Sequence, residues 1–400
     1  MFDPATTLVM TAVGAVLIGF CSATQDIVID AYRIESAKKD MQSMLSAMYI
    51  TGYRIGMLVA GAGALGLADY WGTDVYDFQV WSNVYRVMAL MMLIGIVTTL
   101  LIPEPDRPHK ETIFRSRSDY LRFAMLFLCA VTVFIATFVV SSTPADWVKS
   151  WLTNEFGMMS RLAGFLVATS RLTLAVVLAG LSAKLLIECH LVSRHHVYET
   201  YIEPINDFFR RYGRTAIIVI VLIGTYRIAD IVMGVIANVF YIDMGFTKSQ
   251  IATYSKFWGL WATIGGGFFG GILSVRYGVY RALFLGALLS AVTNLLFAYL
   301  ATQSADSLLL LWVVVADNAS AGLATAAFIA YLSSLTSMSF TAMQYAIFSS
   351  VMTLFPKILA GYSGMIVDNM GYPIFFVGTA VLGIPVLLLV VWVGRHSVGR

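Results

Sequence analysis

Long apolar segments recur along the whole chain and constrain its fold more than any other feature. A transmembrane helix needs about 20 mostly apolar residues, and about eleven segments reach that length. They lie at residues 5–32, 44–68, 84–102, 121–141, 162–188, 215–240, 254–275, 282–301, 307–335, 341–366 and 373–394. Only 12% of the 400 residues are charged, whereas soluble domains carry about 25%. The sequence therefore predicts an all-α polytopic membrane protein.

Lysine and arginine are concentrated in alternate connecting segments. They follow the first, third and fifth apolar segments and return in the C-terminal tail, whereas residues 69–83 contain neither. Cytoplasmic loops carry an excess of these two residues, so we expect the first connecting segment and the C-terminus in the cytoplasm. Tryptophans at the opposite ends of the segments would form an interfacial aromatic belt. They are Trp71, Trp81, Trp147 and Trp151.

The apolar segments contain an internal repeat with an offset of about 300 residues, in which the first three segments correspond to the last three. The matched positions are Ala23-Thr24 with Ala324-Thr325, Gly61 with Gly361, and Asp69 with Asp368. Parallel repeats of six helices, each made of two inverted groups of three, build the major facilitator fold. We therefore expect this fold.

The repeat also predicts how the chain is organised. Residues 214–400 would form a complete six-helix C-terminal bundle. Residues 1–103 would form an incomplete N-terminal bundle that holds only the last three helices of its half. Residues 104–213 would form cytoplasmic loops with an inserted transmembrane hairpin, because 121–188 has no partner in the repeat.

A polar stretch occupies the end of the first apolar segment. Asp26, Asp30 and Arg33 are spaced i, i+4 and i+7 there, so they fall on one helix face. A charge near the bilayer centre costs at least about 2.5–3.5 kcal/mol, so this face must meet protein or water. Two interpretations are open. The face clamps the helix end to its neighbours, or it lines a transport path together with Gln25.

The second apolar segment carries an arginine, Arg54, between Gly52 and Gly56. The spacing of the two glycines predicts close helix packing. Arg54 requires a carboxylate, and Asp26 or Asp30 is the nearest in sequence. Two interpretations are open: the ion pair of Arg54 is permanent, or it breaks during transport.

Polar residues also lie inside the segments of the second half. Arg227 and Asp230 are spaced i, i+3 and share a helix face, and Asp317-Asn318 lies in the middle of the ninth segment. That segment is the repeat partner of the first. Polar groups at matched depth in both repeats are typical of a binding site between two halves. Weaker candidates are Gln344 and Lys357 in the tenth segment, and Lys256 near the outer end of the seventh.

The sequence carries no catalytic or metal-binding pattern. Cys21, Cys129 and Cys189 lie in apolar surroundings, and no histidine has metal-ligand spacing. A membrane-embedded acyl or glycosyl transferase would need a catalytic cluster of His, Asp or Glu in a loop. We therefore expect no enzyme, no metal or other cofactor, and no nucleic-acid partner.

Several stretches together resemble the AmpG-type muropeptide permeases of the major facilitator superfamily. The first and most specific is Phe20-Cys21-Ser22-Ala23-Thr24-Gln25-Asp26-Ile27-Val28-Ile29-Asp30-Ala31. The others are residues 52–59, Tyr226-Arg227 with Asp230, 262–264, 281–283, 317–328, 339–340 and 344–346. The resemblance covers nearly the whole chain except 121–188. The acetyl-coenzyme A transporters are a more distant resemblance.

The resemblance implies a transporter in the inner membrane of Gram-negative bacteria. Its family imports anhydro-muropeptides, the GlcNAc-anhydroMurNAc peptides, from the periplasm for peptidoglycan recycling, and this uptake is linked to proton symport and to β-lactamase induction. The family's first three helices would be absent from this chain. A non-transporting membrane protein or sensor therefore stays open as an alternative.

The combined hypothesis assigns roles to ten residues. Substrate would bind between the halves of a monomer within the lipid bilayer. The expected substrate-binding residues are Gln25, Arg54, Arg227, Lys256, Asp317, Asn318 and Gln344. The expected carriers of the coupling proton are Asp26, Asp30 and Asp230.

Overall fold

The computed structural model of the chain describes residues 3–38, 41–72, 76–105, 117–189 and 191–397. Within these ranges every regular element is helical and no strand occurs. Ten helical segments among these residues are long and apolar enough to cross a membrane. The predicted all-α polytopic class is therefore confirmed.

The α-helices follow one another with short connections. In chain order they are α1 (Leu8–Glu35), α2 (Gln42–Leu58), α3 (Ala64–Trp71), α4 (Phe78–Leu101), α5 (Arg117–Val140), α6 (Ser142–Asn154), α7 (Ser160–Glu188), α8 (Arg194–Val197), α9 (Glu203–Tyr212), α10 (Thr215–Thr225), α11 (Ile228–Asp243), α12 (Lys248–Ile251), α13 (Gly259–Tyr277), α14 (Val279–Leu300), α15 (Ser307–Leu335), α16 (Thr341–Ala360) and α17 (Ser363–Ser397). π-helical turns join α2 to α3, α8 to α9, and α12 to α13.

The predicted apolar segment at 341–366 is the one that falls outside the ten membrane-length helices. Its helix, α16, ends at Ala360 and contains Gln344 and Lys357. These two polar side chains lower the hydropathy of the helix. The chain accordingly has about ten candidate spans rather than the eleven expected.

The internal contacts of the chain define two compact units. The first comprises residues 1–108, 217–356 and 372–400, and the second comprises 109–216 and 357–371. The predicted division into two bundles and an inserted hairpin stays a prediction.

Glycines bring α13 and α15 of the first unit into backbone contact. A Cβ built at Gly266 would lie 2.0 Å from the carbonyl oxygen of Ala319, and one at Gly322 would lie 2.1 Å from that of Thr263. Real Cβ atoms do not approach other atoms so closely. The two helices can therefore pack at this distance only because glycine occupies both positions.

Helix α2 packs on this glycine-rich pair. A Cβ at Gly271 of α13 would lie 3.2 Å from the Cβ of Ala47, and Ile50 packs with Ala326 and Ile329 of α15. These contacts join an early helix of the chain to two late ones.

The predicted close packing at Gly52 and Gly56 is wrong. Among the described residues, no atom outside the local helix lies within 4 Å of a Cβ built at either position. The glycines that determine helix packing are those of α13 and α15 instead.

The second unit is built on the pair α5 and α7, with α6 against α7. Arg171 of α7 donates through Nε to Ser141 Oγ at 3.0 Å, and its guanidinium carbon lies 4.9 Å from the ring centroid of Phe138. The short helix α9 buries Pro204 and Phe208. Tyr201, just before α9, stacks on Phe123 of α5 at 5.5 Å between ring centroids.

Candidate functional site

Arg33 connects the end of α1 to other helices of the first unit. Its side chain is buried, and its Nη2 lies 3.3 Å from Oδ1 of Asp30, one turn earlier. Its Nη1 donates hydrogen bonds to Ser46 Oγ on α2 at 3.3 Å and to Ser333 Oγ on α15 at 3.0 Å. One guanidinium therefore holds three helices together.

Two aromatic rings complete the surroundings of Arg33. The ring centroids of Tyr49 on α2 and Tyr345 on α16 each lie 5.4 Å from the guanidinium carbon, within the range of a cation–π contact. A buried ion pair is tolerated when further hydrogen bonds satisfy its polar groups. The serines do this for Nη1 of Arg33, whereas its buried Nε has no hydrogen-bond partner among the described residues. We call these residues the Arg33 cluster: Arg33, Asp30, Ser46, Ser333, Tyr49 and Tyr345.

The polar stretch of α1 is divided between two environments. Asp30 and Arg33 are buried, whereas Gln25 and Asp26 are exposed. Asp26 still lies close enough to Asp30 and Tyr49 for its charge to act on both. Asp30 and Arg33 therefore fit the first interpretation, in which they clamp the helix end to its neighbours. For Gln25 and Asp26 the second interpretation, that they line a transport path, stays a prediction.

Arg54 does not have the partner expected from the sequence. Within the described ranges it forms no ion pair with Asp26 or Asp30, so that expected pairing is wrong. The charged groups that act on it are Arg227 and Asp230, at the break between α10 and α11.

The face of α2 that carries Arg54 is the face that packs on the late helices. Ala47, Ile50 and Arg54 are spaced i, i+3 and i+7, which places them on one side of the helix. Ala47 contacts α13, and Ile50 contacts α15. Arg54 is consequently turned toward the second half of the chain, away from the carboxylates of α1.

Arg227 and Asp230 form the ion pair whose spacing the sequence indicates. Nη2 of Arg227 lies 3.3 Å from Oδ2 of Asp230, and Ser290 Oγ of α14 donates to Oδ1 at 3.1 Å. The Nε of Arg227 is buried and has no hydrogen-bond partner among the described residues. The break before α11 is stabilised by Tyr226, whose hydroxyl donates to the carbonyl of Leu283 at 2.9 Å.

Asp317 and Asn318 of α15 point to different neighbouring helices. Oδ1 of Asp317 accepts a hydrogen bond from Thr293 Oγ1 of α14 at 3.1 Å. The Oδ1 of Asn318 accepts one from Thr263 Oγ1 of α13 at 3.1 Å, and its Nδ2 donates to the carbonyl of Val314 at 2.9 Å. Both side chains thus have protein partners.

The hydroxyls of α14 were missed as site residues in the sequence. Ser290 binds Asp230 and Thr293 binds Asp317, so two carboxylates of different helices meet one face of α14. The signal was present, because the two hydroxyl residues are spaced i, i+3 and therefore share one helix face. Asp230 also acts electrostatically on Asp317, so the two carboxylates are neighbours.

Lys256 and Gln344, two of the weaker candidates, have surroundings different from those of Arg227, Asp230 and Asp317. Lys256 lies exposed in the π-helical turn before α13 and forms no ion pair within the described parts of the chain. Gln344 is buried, and its Oε1 accepts a hydrogen bond from the backbone nitrogen of Ser337 at 2.7 Å. Gln344 thereby closes the turn between α15 and α16.

The arrangement offers two kinds of chemistry. Arg54 and Arg227 come from the first and second halves of the chain and present hydrogen-bond donors suited to a carboxylate or phosphate. Asp230 and Asp317 accept hydrogen bonds from hydroxyls, and a carboxylate inside a membrane protein is typical of proton relays. No group of three His, Cys, Asp or Glu among the described residues could hold a metal ion.

Comparison with known proteins decides the family. The family profile described as Major Facilitator Superfamily matches residues 1–246, which is more than half of the chain. The chain belongs to the major facilitator superfamily. It is a secondary transporter of this superfamily and a multi-pass membrane protein with about ten spans. Because members of the superfamily are transporters, the prediction that the chain is not an enzyme is confirmed.

Within the major facilitator superfamily the chain is related to the AmpG proteins, as its sequence indicated. It is 27% identical over 377 residues to "Putative transporter AmpG 4" of Rickettsia conorii, which covers 94% of this chain and 70% of the relative. It is 28% identical to "Putative transporter AmpG 1" of Rickettsia felis, over 97% of this chain and 76% of the relative. It is 26% identical to "Anhydromuropeptide permease" of Escherichia coli, over 97% of this chain and 60% of the relative.

Proposed function

We propose that the chain imports anhydro-muropeptides, the GlcNAc-anhydroMurNAc peptides, from the periplasm to the cytoplasm for peptidoglycan recycling. The substrate crosses the bacterial inner membrane in symport with protons, and its uptake is linked to β-lactamase induction. The chain acts as a monomer in the bilayer, with its C-terminus in the cytoplasm. The relative from Escherichia coli, which is named a permease for this substrate, supports the proposal.

The observation that carries the proposal is the proximity of Arg54 to Arg227. The two guanidiniums lie near one another, Asp230 acts on both, and Asp317 neighbours Asp230. Charged groups inside a membrane protein are costly unless they have partners of opposite charge, so these arginines favour the binding of an anionic substrate during the transport cycle. The peptide of a muropeptide carries carboxylates, and arginine binds carboxylates with two parallel hydrogen bonds.

The other polar residues divide into two groups in this proposal. Gln25 and Lys256 are exposed and free to bind sugar hydroxyls or a second carboxylate. Asp317, Asn318 and Gln344 are already hydrogen-bonded within the protein, so they contact substrate only through their remaining hydrogen-bonding capacity.

Proton coupling is assigned to Asp230 with Asp26 and Asp30. Asp230 is bound to both Arg227 and Ser290, so arrival of an anionic substrate at Arg227 competes directly with this carboxylate. Loss of the arginine favours protonation of a buried carboxylate, because burial then opposes its charge without compensation. Substrate and proton binding are thereby linked through one ion pair.

The test is uptake of labelled anhydro-muropeptide into proteoliposomes that contain the purified chain. With an inward proton gradient we expect accumulation above the external concentration, which a protonophore abolishes. The same muropeptide with amidated peptide carboxylates should compete at least about tenfold more weakly, since charge-assisted hydrogen bonds contribute about 1.5–3 kcal/mol.

A paired guanidinium site also fits phosphate, which keeps an acetyl-coenzyme A transporter as the second candidate. The two are separated by adding acetyl-coenzyme A as a competitor in the same assay. Strong competition by acetyl-coenzyme A together with absent muropeptide uptake would replace the first proposal by the second. Uptake of neither compound would support a non-transporting membrane protein.

A further inference from the structure

The second unit contains a cavity that plays no part in the proposed transport path. It has a volume of about 390 Å³ and lies where α6, the start of α7 and the turn between α16 and α17 meet. Its polar lining includes Lys149, Ser160 and Arg161, and its apolar lining includes Phe165 and Met365. One cavity thus combines cationic and apolar walls.

Lys149 is the unusual charge in this cavity. It is half-buried, and within the described ranges it forms no ion pair with any carboxylate. Its side chain lies along α7, so that a Cβ built at Gly164 would be 3.4 Å from its Cε and 3.7 Å from its Nζ. A larger residue at 164 would obstruct this position. A lysine held partly out of water without a carboxylate gains from a negatively charged partner.

Arg161 supplies a second cation on the rim of the cavity. It pairs with Asp368, but both side chains are exposed, by 72% and 54% respectively. An exposed ion pair of this kind contributes little stability. Arg161 can therefore exchange Asp368 for another anion at little cost.

The beginning of α7 adds backbone donors beside these two cations. Met159 at the N-cap offers no side-chain hydrogen bond to the first turn, and the first helical bond of this end runs from Ala163 N to Met159 O. The preceding backbone N–H groups of a 29-residue helix face the same end as Arg161. Helix N-termini attract anions, so this feature reinforces the charge of Lys149.

Aromatic side chains place the cavity at the level of lipid headgroups. Trp147 and Trp151 of α6 stack at 6.5 Å, and Phe156 packs edge-on against Trp151 at 4.8 Å. All three are exposed. Exposed tryptophan near the ends of membrane helices is typical of the bilayer interface, and α5 ends and α7 begins beside α6.

We propose that this cavity binds the phosphodiester headgroup of an anionic phospholipid. The phosphate lies between Lys149 and Arg161 at the start of α7, and the apolar wall with Phe165 contacts the first part of an acyl chain. A phospholipid fits better than free phosphate because its acyl chain contacts the apolar lining, whereas a small inorganic anion would leave that lining without a contact.

The test is native mass spectrometry of the purified full-length chain after equilibration with mixed micelles. We expect phosphatidylglycerol to remain bound in preference to phosphatidylcholine. In the variant Lys149→Met, which keeps the length of the side chain, phosphatidylglycerol affinity should fall about tenfold. Lys149→Arg should restore most of it.

Lys184→Met is the matched control, because Lys184 lies at the other end of α7, is exposed and pairs with Glu188. It should retain the affinity of the unchanged chain. Size-exclusion profiles establish that each variant is folded. Equal retention by Lys149→Met and Lys184→Met, or equal binding of the two lipids, would overturn the proposal. Displacement of the lipid by millimolar inorganic phosphate would assign the site to free anions and overturn the lipid assignment.

Discussion

Arg33 Nη1 donates a hydrogen bond to Ser333 Oγ at 3.0 Å, although the two residues lie 300 positions apart in the chain. This offset is also that of the internal repeat in the sequence, so the contact joins nearly equivalent positions of α1 and α15. With Asp30 and Ser46 it gives Arg33 partners on α1, α2 and α15 of the first unit. Replacing Arg33 should therefore show how much these contacts contribute to the packing of the helices.

Replacing Arg33 by alanine should destabilise the protein by about 3–5 kcal/mol, because Asp30 would remain buried without its partner. Thermal unfolding in detergent measures the effect. Arg86→Ala is the control, since Arg86 is exposed and its one hydrogen bond to a described residue is with Asn83. The double variant Asp30→Asn with Arg33→Met should recover much of the loss. Equal unfolding temperatures for Arg33→Ala and Arg86→Ala would contradict the claim that Arg33 stabilises the packing of these helices.

Alanine at Gly266 or Gly322 should separate α13 from α15. Each added methyl group would lie about 2 Å from a backbone oxygen, and overpacking of a tight core costs about 1–3 kcal/mol or more. We expect a lower unfolding temperature and reduced expression. Gly265→Ala is the matched control, because a Cβ there meets no described atom within 4 Å. That variant should be neutral or more stable, since alanine favours helix. The packing account fails if Gly265 and Gly266 tolerate alanine equally.

Arg54→Gln should raise the apparent KM for anhydro-muropeptide at least about tenfold, since it removes one charge-assisted donor from the paired guanidiniums. Initial rates of uptake at varied substrate concentration give this value. Arg86→Gln, an exposed arginine of α4, serves as the control and should leave KM unchanged. An unaltered KM in Arg54→Gln would remove this residue from the binding site.

Asp230→Asn should abolish accumulation driven by a proton gradient while preserving exchange of labelled for unlabelled substrate. The amide keeps the hydrogen bond from Ser290 but cannot take up and release a proton. Counterflow and gradient-driven uptake, measured in the same proteoliposomes, separate the two activities. Asp243→Asn is the control, because Asp243 is exposed and bonds Tyr372. Normal accumulation in Asp230→Asn would exclude it from the proton path.

The sequence predicted the features that depend on local composition. Apolar length located ten of the spans, and the i, i+3 spacing placed Arg227 and Asp230 on one helix face, where they form an ion pair. The segment at 341–366 also forms a helix, α16, in which Gln344 and Lys357 interrupt the apolar run. These features depend on residues of one helix.

Features that depend on helix packing could not be predicted from the sequence. Gly52 and Gly56 have the spacing of a close contact, yet the contact forms at Gly266 and Gly322. Arg54 was expected to pair with α1, but α2 presents that face to the late helices. Spacing along one helix determines which residues share a face. It does not determine which neighbour that face meets.

Helix α15 is continuous from Ser307 to Leu335, and it carries Asn318 near its middle and Ser333 near its end. The 15 helical steps from Asn318 to Ser333 span about 22 Å at 1.5 Å per residue. Because α15 is continuous, tilting it by about 5° about the position of Asn318 would displace Ser333 by about 2 Å. Such a displacement is enough to break the hydrogen bond between Arg33 and Ser333. A small rotation of α15 near Asn318 would therefore release α1 from α15.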